Sequence, residues 1–336
     1  MVRKLTRIVA LVALCSLFVA ADDSGKRVFS VMTRNVDNGT DLLYVLGGVP
    51  GAISLTFDEV VASNIPARSA RLATEIAAER PDLISLQEIS VWTKLSAAGQ
   101  PVLVLDLLEE LMAALEARRL RYDVVAVNNL ANITQPLETG DGYVNLLDRD
   151  VVLARPELQI SNVSTNLYAV FLPFGPFPVY RGWISAEVND GRKKFRFVNT
   201  HLESLLTSIQ VAQTGELIQV LSQDDLPLVL AGDFNSDASG NPAALDKPDS
   251  VLLLQQAGFT EAWQALHAND PGYTWPLFLE DHFPAPPFTS PAAPFERIDL
   301  VFVRGPVEIR AVERTGLVVP YGSDHAGVVA TLKLEP

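Results

Sequence analysis

Cysteine is nearly absent: the single copy, Cys15, lies inside an N-terminal apolar run. A disulfide framework is therefore excluded. The chain also lacks paired cysteines and any His-x-x-x-His spacing, which removes the usual zinc patterns. The apolar run from Ile8 to Ala21 is shorter than the roughly 20 residues that a bilayer span requires. Leu14 stands before Cys15 where a lipid anchor calls for a small residue. Cations are scarce as well: 26 Lys and Arg face 40 Asp and Glu, for a formal charge of −14. Such a chain has no general attraction to nucleic acid or to anionic membrane, although bound cations can reverse the field locally. Arg192-Lys193-Lys194 is the one basic cluster.

What is present begins at the N-terminus. Arg3, Lys4 and Arg7 precede the apolar run, and Val19-Ala20-Ala21 closes it with small residues before Asp22-Asp23. This is the pattern of a secretory signal peptide over residues 1–21, so the mature chain is expected to be secreted or periplasmic. Residues 22–336 then form the mature domain. About 310 residues bury a large core without disulfides. Sequons at Asn38, Asn132 and Asn162 matter only in a host that glycosylates exported proteins.

Short apolar strands alternate with amphipathic helices. Strands are read at Val28–Val36, Asp82–Gln87, Tyr122–Val127, Val151–Ala154 and Leu226–Ala231, with Ile298–Val303 and Gly327–Leu332 as the last two. Arg181–Val188 and Lys193–Thr200 read as a hairpin closed at Asn189-Asp190-Gly191. Helices are read at Ala67–Glu79, Leu205–Leu221 and Val251–Ala257. A further helix is read over Val102–Arg119, with Leu105, Leu108, Met112 and Leu115 on one face. No internal repeat and no linker interrupts the pattern, so one α/β domain is expected. Asp37–Pro66 and the Pro- and Phe-rich Tyr273–Phe295 are long enough to be binding loops or lids.

Polar residues collect at the ends of these strands. Asn35 ends the first, Glu88 follows Leu83-Ile84-Ser85-Leu86-Gln87, and Asn199-Thr200-His201 ends Phe195–Val198. Gly232-Asp233-Phe234-Asn235 ends Leu228–Ala231, Asp299 opens Leu300–Val303, and Ser323-Asp324-His325 precedes the final strand. Strand ends are where α/β folds build their sites. Glu88, Asn35 and Asp324 offer oxygen ligands, which favour Mg²⁺, Mn²⁺ or Ca²⁺. Two histidines beside carboxylates supply an acid and a base. A cation, a base for water and an acid for the leaving oxygen are the parts of phosphoryl transfer.

The ordered set of these six segments resembles the endonuclease/exonuclease/phosphatase superfamily over roughly residues 28–333. The resemblance implies a four-layer α/β/β/α sandwich of two packed mixed β-sheets flanked by helices. It implies Glu88 as the principal metal ligand, with Asn35 beside it and Asp324 supporting the metal or a second cation. Asp233 would align or deprotonate the water, and Asn235 would hold the phosphate. His325, oriented by Asp299, would polarise the phosphoryl oxygen or act as base. His201 would protonate the leaving group, as in the nuclease, sphingomyelinase and 5-phosphatase branches. Many members carry a glycine-rich or Ser-Arg strand where this chain has Asp148-Arg149-Asp150. Asp148 and Asp150 share a strand face, and the resemblance implies that either would orient His201, as a carboxylate does in DNase I-like members.

The expected enzyme is a metal-dependent phosphodiesterase acting on nucleic acid or a phospholipid headgroup. The alternatives are a phosphomonoesterase for an inositol or sugar phosphate, and a catalytically silent binding protein. The expected partner is a phosphate-ester substrate, and no protein partner is implied. Phe171, Phe174 and Phe177, with Trp275, Phe278, Phe283, Phe288 and Phe295, either pack on the domain or form a rim that touches lipid.

Overall fold

The computed structural model describes residues 28–175, 177–189, 191, 193–277 and 293–335. The signal-peptide reading, Arg192, Phe278, Phe283 and Phe288 lie outside the described residues. The chain begins with β1 (Val28–Asn35), α1 (Leu43–Leu46), α2 (Ala52–Ala62), α3 (Ile65–Glu79), β2 (Leu83–Gln87), β3 (Val91–Ser96), β4 (Pro101–Asp106) and α4 (Leu107–Ala117). It continues through β5 (Asp123–Pro136), β6 (Gly142–Ala154), β7 (Gln159–Leu167), β8 (Leu172–Phe174), β9 (Phe177–Val179), β10 (Gly182–Asn189) and β11 (Lys194–His201). The last part holds α5 (Thr207–Leu221), β12 (Leu228–Asp233), α6 (Asp249–Gln256), β13 (Thr260–Glu261), α7 (Ala262–Leu266), β14 (Asp299–Arg304), β15 (Val307–Thr315) and β16 (Gly327–Leu334).

One sheet runs β15-β16-β1-β2-β6-β3-β4, with β5 also paired to β6. The other runs β13-β14-β12-β11-β10-β7. Both are mixed: β1 and β2 are parallel, as are β11 and β12, while their other neighbours are antiparallel. Strand side chains alternate between faces, so each central strand feeds two cores. Phe29, Val31, Val152, Ile184, Phe197, Val229 and Val301 fill the space between the sheets. Met32, Ile84 and Val151 turn outward onto Leu72, Ile76, Leu111 and Leu115 of α3 and α4. Val198, Leu228, Leu230 and Phe302 turn outward onto Leu217 and Leu221 of α5 and Leu254 of α6. Helix, sheet, sheet and helix stack in four layers, as the resemblance implied.

Three readings are corrected. Val102–Asp106 is strand, not helix, and pairs with β3. The helix starts only after Asp106, whose side chain accepts from the backbone N–H of Leu108 and Glu109. Its buried face is Leu107, Leu111 and Leu115, with Leu108 and Met112 at the flank. Another strand, β15, intervenes before the last one; its apolar residues are diluted by Glu308, Arg310, Glu313 and Arg314, as suits a sheet edge. The stretch Asp37–Pro66 is not a bare loop, because α1 and α2 occupy half of it and α3 begins at Ile65.

Candidate active site

The strand register sets the site. Gly182, His201, Asp233 and Asp299 lie side by side across β10, β11, β12 and β14. Gly232 makes the close approach possible, since a Cβ there would lie 1.9 Å from the Thr200 carbonyl oxygen. In the facing sheet Asn35 ends β1 beside Gln87 of β2. Glu88 follows in a left-handed backbone conformation (φ 59°), which an L residue holds at some cost, and such strain gathers at functional sites.

Asn35 ties the two sheets together. Its amide nitrogen donates to Glu88 Oε1 and to Asp233 Oδ2, each at 3.0 Å. Its oxygen accepts from the Asp37 backbone N–H at 2.9 Å. Asn35 therefore meets Glu88 as a donor. Glu88 Oε2 accepts from the backbone and side chain of Asn38. Asn235, also left-handed, donates from its side chain to the Leu202 carbonyl, while its backbone N–H donates to Asp233 Oδ1.

The second corner is built around His325. Its Nδ1 lies 2.9 Å from Asp299 Oδ2, and its Nε2 faces Asp233 Oδ2 and Asp324 Oδ1, each at 3.9 Å. Asp324 accepts from Trp275 Nε1 at 3.0 Å. The loop is pinned from below: Ser323 Oγ donates to the Asn35 carbonyl, and fully buried Arg34 donates to the carbonyls of Asn35 and His325 while pairing with Glu75.

His201 ends β11, fully buried, with Nε2 3.6 Å from Asp233 Oδ2. Its Nδ1 is met at 3.0 Å by Arg181 Nη1, not by a carboxylate. Of the two aspartates read as orienters, Asp150 Oδ1 stands 3.8 Å away, beyond hydrogen-bond range. Asp148 instead accepts from Ser90 Oγ and lies 3.6 Å from Arg181 Nη1. Arg181, which the sequence reading placed only at the start of a hairpin strand, is thus a site residue. Counting back along the hairpin from Asn189 and Lys194 pairs Gly182 with His201 and signals it. Trp275, Asn38 and Arg34 were also missed, because each meets its site partner (Asp324, Glu88 and His325) across 49 or more residues of chain.

Charge states follow from burial and neighbours. Burial works against a charged His325, yet Asp299, Asp324 and Asp233 outweigh it and raise its pKa well above the ordinary value. Burial lowers the pKa of His201 far below its ordinary value, and Arg181 and His325 add to this. Burial lifts Asp233 to about 7, with Asp299 adding repulsion against the relief from His325 and Asn35. Burial also lifts Asp324 to about 6, eased by His325 and aggravated by Asp37 and Glu88.

This crowding of Asp37, Glu88 and Asp324 fits a divalent cation. A tighter group, Asp233, Asp299 and His325, has ligand atoms within 4.8 Å of one another. There, however, His325 Nδ1 and Asp299 Oδ2 are already joined by a hydrogen bond. The all-oxygen set at Glu88 and Asp324 suits a hard cation better.

Glu88, Arg181, His201, Asp233, Asn235, Asp324 and His325 line one cleft of about 1040 Å³, whose other wall is apolar: Leu43, Leu46, Trp92, Leu146, Leu172 and Phe177. Exposed Leu205 and Leu245 stand at the same cleft. Phe171 packs at a tilt against Tyr180 and stays partly exposed, whereas Tyr168 and Trp183 are buried in the core.

No curated protein matches the chain significantly. Solved structures do share the fold. An endonuclease/exonuclease/phosphatase from Beutenbergia cavernae is 23% identical with a TM-score of 0.59, covering 92% of this chain and 72% of that one. A family protein from Leptotrichia buccalis is 16% identical with a TM-score of 0.57, covering 92% and 100%. D. rerio TDP2, complexed with a single-strand DNA product, is 19% identical with a TM-score of 0.54, covering 91% and 98%. The model of the endonuclease/exonuclease/phosphatase family matches residues 35–325. The chain belongs to that family, whose members are generally hydrolytic phosphoesterases that use divalent metals.

Proposed function

We propose that the chain is an exported, Mg²⁺-class phosphodiesterase that hydrolyses a phosphodiester carrying an apolar group, a phospholipid headgroup being the best fit. The observation that carries this reading is the convergence of Asp233, the Asp299–His325 pair and the Glu88–Asp324 carboxylates on one cleft with an apolar wall. The basic, apolar and small-residue order of residues 1–21 supports export.

Glu88 and Asp324 would hold the cation, with Asn35 fixing the Glu88 carboxylate by its hydrogen bond. A cation bound there neutralises phosphate charge. Asp233, lifted to about 7, takes a proton from the attacking water. The oxygen of that water forms the new bond to phosphorus as the bond to the alcohol oxygen breaks. Held as imidazolium by Asp299, His325 presents Nε2–H to a phosphoryl oxygen and so serves as polariser instead of base. The released alkoxide takes its proton from solvent, and Asp233 returns its own.

A second reading is a nucleic-acid strand, favoured by the DNA-product complex of D. rerio TDP2. The formal charge of −14 weighs against it. The test offers the mature protein choline-phospholipid vesicles, single-stranded DNA and a phosphomonoester, each with Mg²⁺. Release of the phosphorylated headgroup supports the proposal. Cleavage of DNA alone supports the second reading, and turnover of the monoester alone overturns both.

A further inference from the structure

Arg181 occupies the place of a hydrogen-bond partner to His201. Its Nη1 donates to Nδ1 at 3.0 Å. A guanidinium offers only donors, so Nδ1 must present its lone pair, and a neutral ring then carries its proton on Nε2. That Nε2 is buried and has no hydrogen-bond partner among the described residues, and His201 is one of the residues that line the cleft. Asp150, 3.8 Å from Nδ1, has neither carboxylate oxygen hydrogen-bonded among the described residues. The carboxylate that would pair with Nδ1 is therefore present, but the guanidinium holds the contact.

We propose that Arg181 is a positioning residue that locks His201 as the neutral Nε2–H tautomer, making it a hydrogen-bond donor to an ester oxygen instead of a proton donor. The assignment of the ester oxygen rests on the phosphodiesterase reading; the tautomer does not. A second proton at Nδ1 would face a guanidinium N–H across 3.0 Å in a buried site. His325, the other cation near the ring, opposes it too, and Asp148, Asp150 and Asp233 are the acidic groups on the other side. Burial works against the charge of Arg181 itself, but Asp148, Glu203, Glu88 and Asp150 outweigh it and keep the guanidinium protonated. Its backbone is anchored where its carbonyl accepts from the Tyr168 N–H at 2.9 Å. Gly182 follows with no room for a Cβ, which would lie 2.2 Å from the Asn166 carbonyl oxygen. Losing Nε2–H would leave an imidazolate, so the proton stays on the ring and the hydrogen bond is what His201 contributes.

The test is long-range ¹H–¹⁵N correlation of the ¹⁵N-histidine-labelled protein with Mg²⁺. The chain has four histidines, and His201→Gln assigns the signal. The expected result is a neutral Nε2–H pattern that holds from about pH 5.5 to about pH 8.5, across the range where a free imidazole titrates. In Arg181→Met the ring should shift to Nδ1–H or imidazolium as Asp150 becomes its partner, while Arg181→Lys, which keeps a donor, should retain Nε2–H. An Nδ1–H or imidazolium pattern in the wild type overturns the proposal even if Arg181→Met fails to fold. An unchanged pattern in a folded Arg181→Met overturns it as well. Because the spectrum needs no turnover, inactivity toward every diester would sink the phosphodiesterase reading and leave this one standing.

Discussion

The two histidine corners of the cleft are built from the same ring with opposite partners. At one, His325 Nδ1 faces the Asp299 carboxylate at 2.9 Å and the ring is driven toward the cation. At the other, His201 Nδ1 faces the Arg181 guanidinium at 3.0 Å and the ring is driven toward neutrality. Both are buried, so burial alone does not separate them; the sign of the nearest charge does. Asp233 lies between, 3.6 Å from one Nε2 and 3.9 Å from the other. On the proposed mechanism the cleft thus carries one cationic donor, one neutral donor and one carboxylate base.

Breaking the cationic corner should cost most. His325→Ala, and Asp299→Asn at nearly the same level, should lower kcat by about 10²–10⁴; full activity in Asp299→Asn would remove the pair from the chemistry. Next comes the neutral corner. His201→Ala should lose about 10²–10³ in kcat, the cost of one donor to a developing charge. His201→Gln, still a donor, should recover part of that; if Gln is as inactive as Ala, His201 acts as an acid after all.

The smallest effect concerns stability. Burial and then Asp148 raise the pKa of Asp150 well above its ordinary value of 3.8. A folded pKa above the unfolded one means a contribution that is fully present below about pH 3.8 and lost as pH rises through the folded value. Asp150→Asn should therefore match wild type in Tm near pH 4 and gain on it as pH rises. A constant difference across that range would show that Asp150 keeps its charge without cost.

Much of this was legible in the chain, and the limits have physical causes. Asn35, Glu88, His201, Asp233, Asp299 and Asp324-His325 each follow or precede a short apolar strand, so sequence alone puts them at strand ends. Their convergence was implied only by the order of six segments. The start of α4 was misread because Val102–Asp106 is as apolar as the helix it precedes, and only pairing with β3 makes it strand. Edge strand β15 alternates charge with Ile and Val and so lacked an apolar run. Arg181 reads locally as a strand start, and Asp148 as one of two carboxylates on a strand face. Their roles depend on a long-range contact across β10, β11 and β6, which no local pattern carries.

The most direct measurement is hydrolysis of bis(p-nitrophenyl) phosphate by the mature protein, with Mg²⁺ or with EDTA, wild type beside His325→Ala. The account predicts turnover with Mg²⁺ that EDTA abolishes and that His325→Ala reduces by about a hundredfold or more. Turnover that survives EDTA, or that His325→Ala leaves intact, would contradict it.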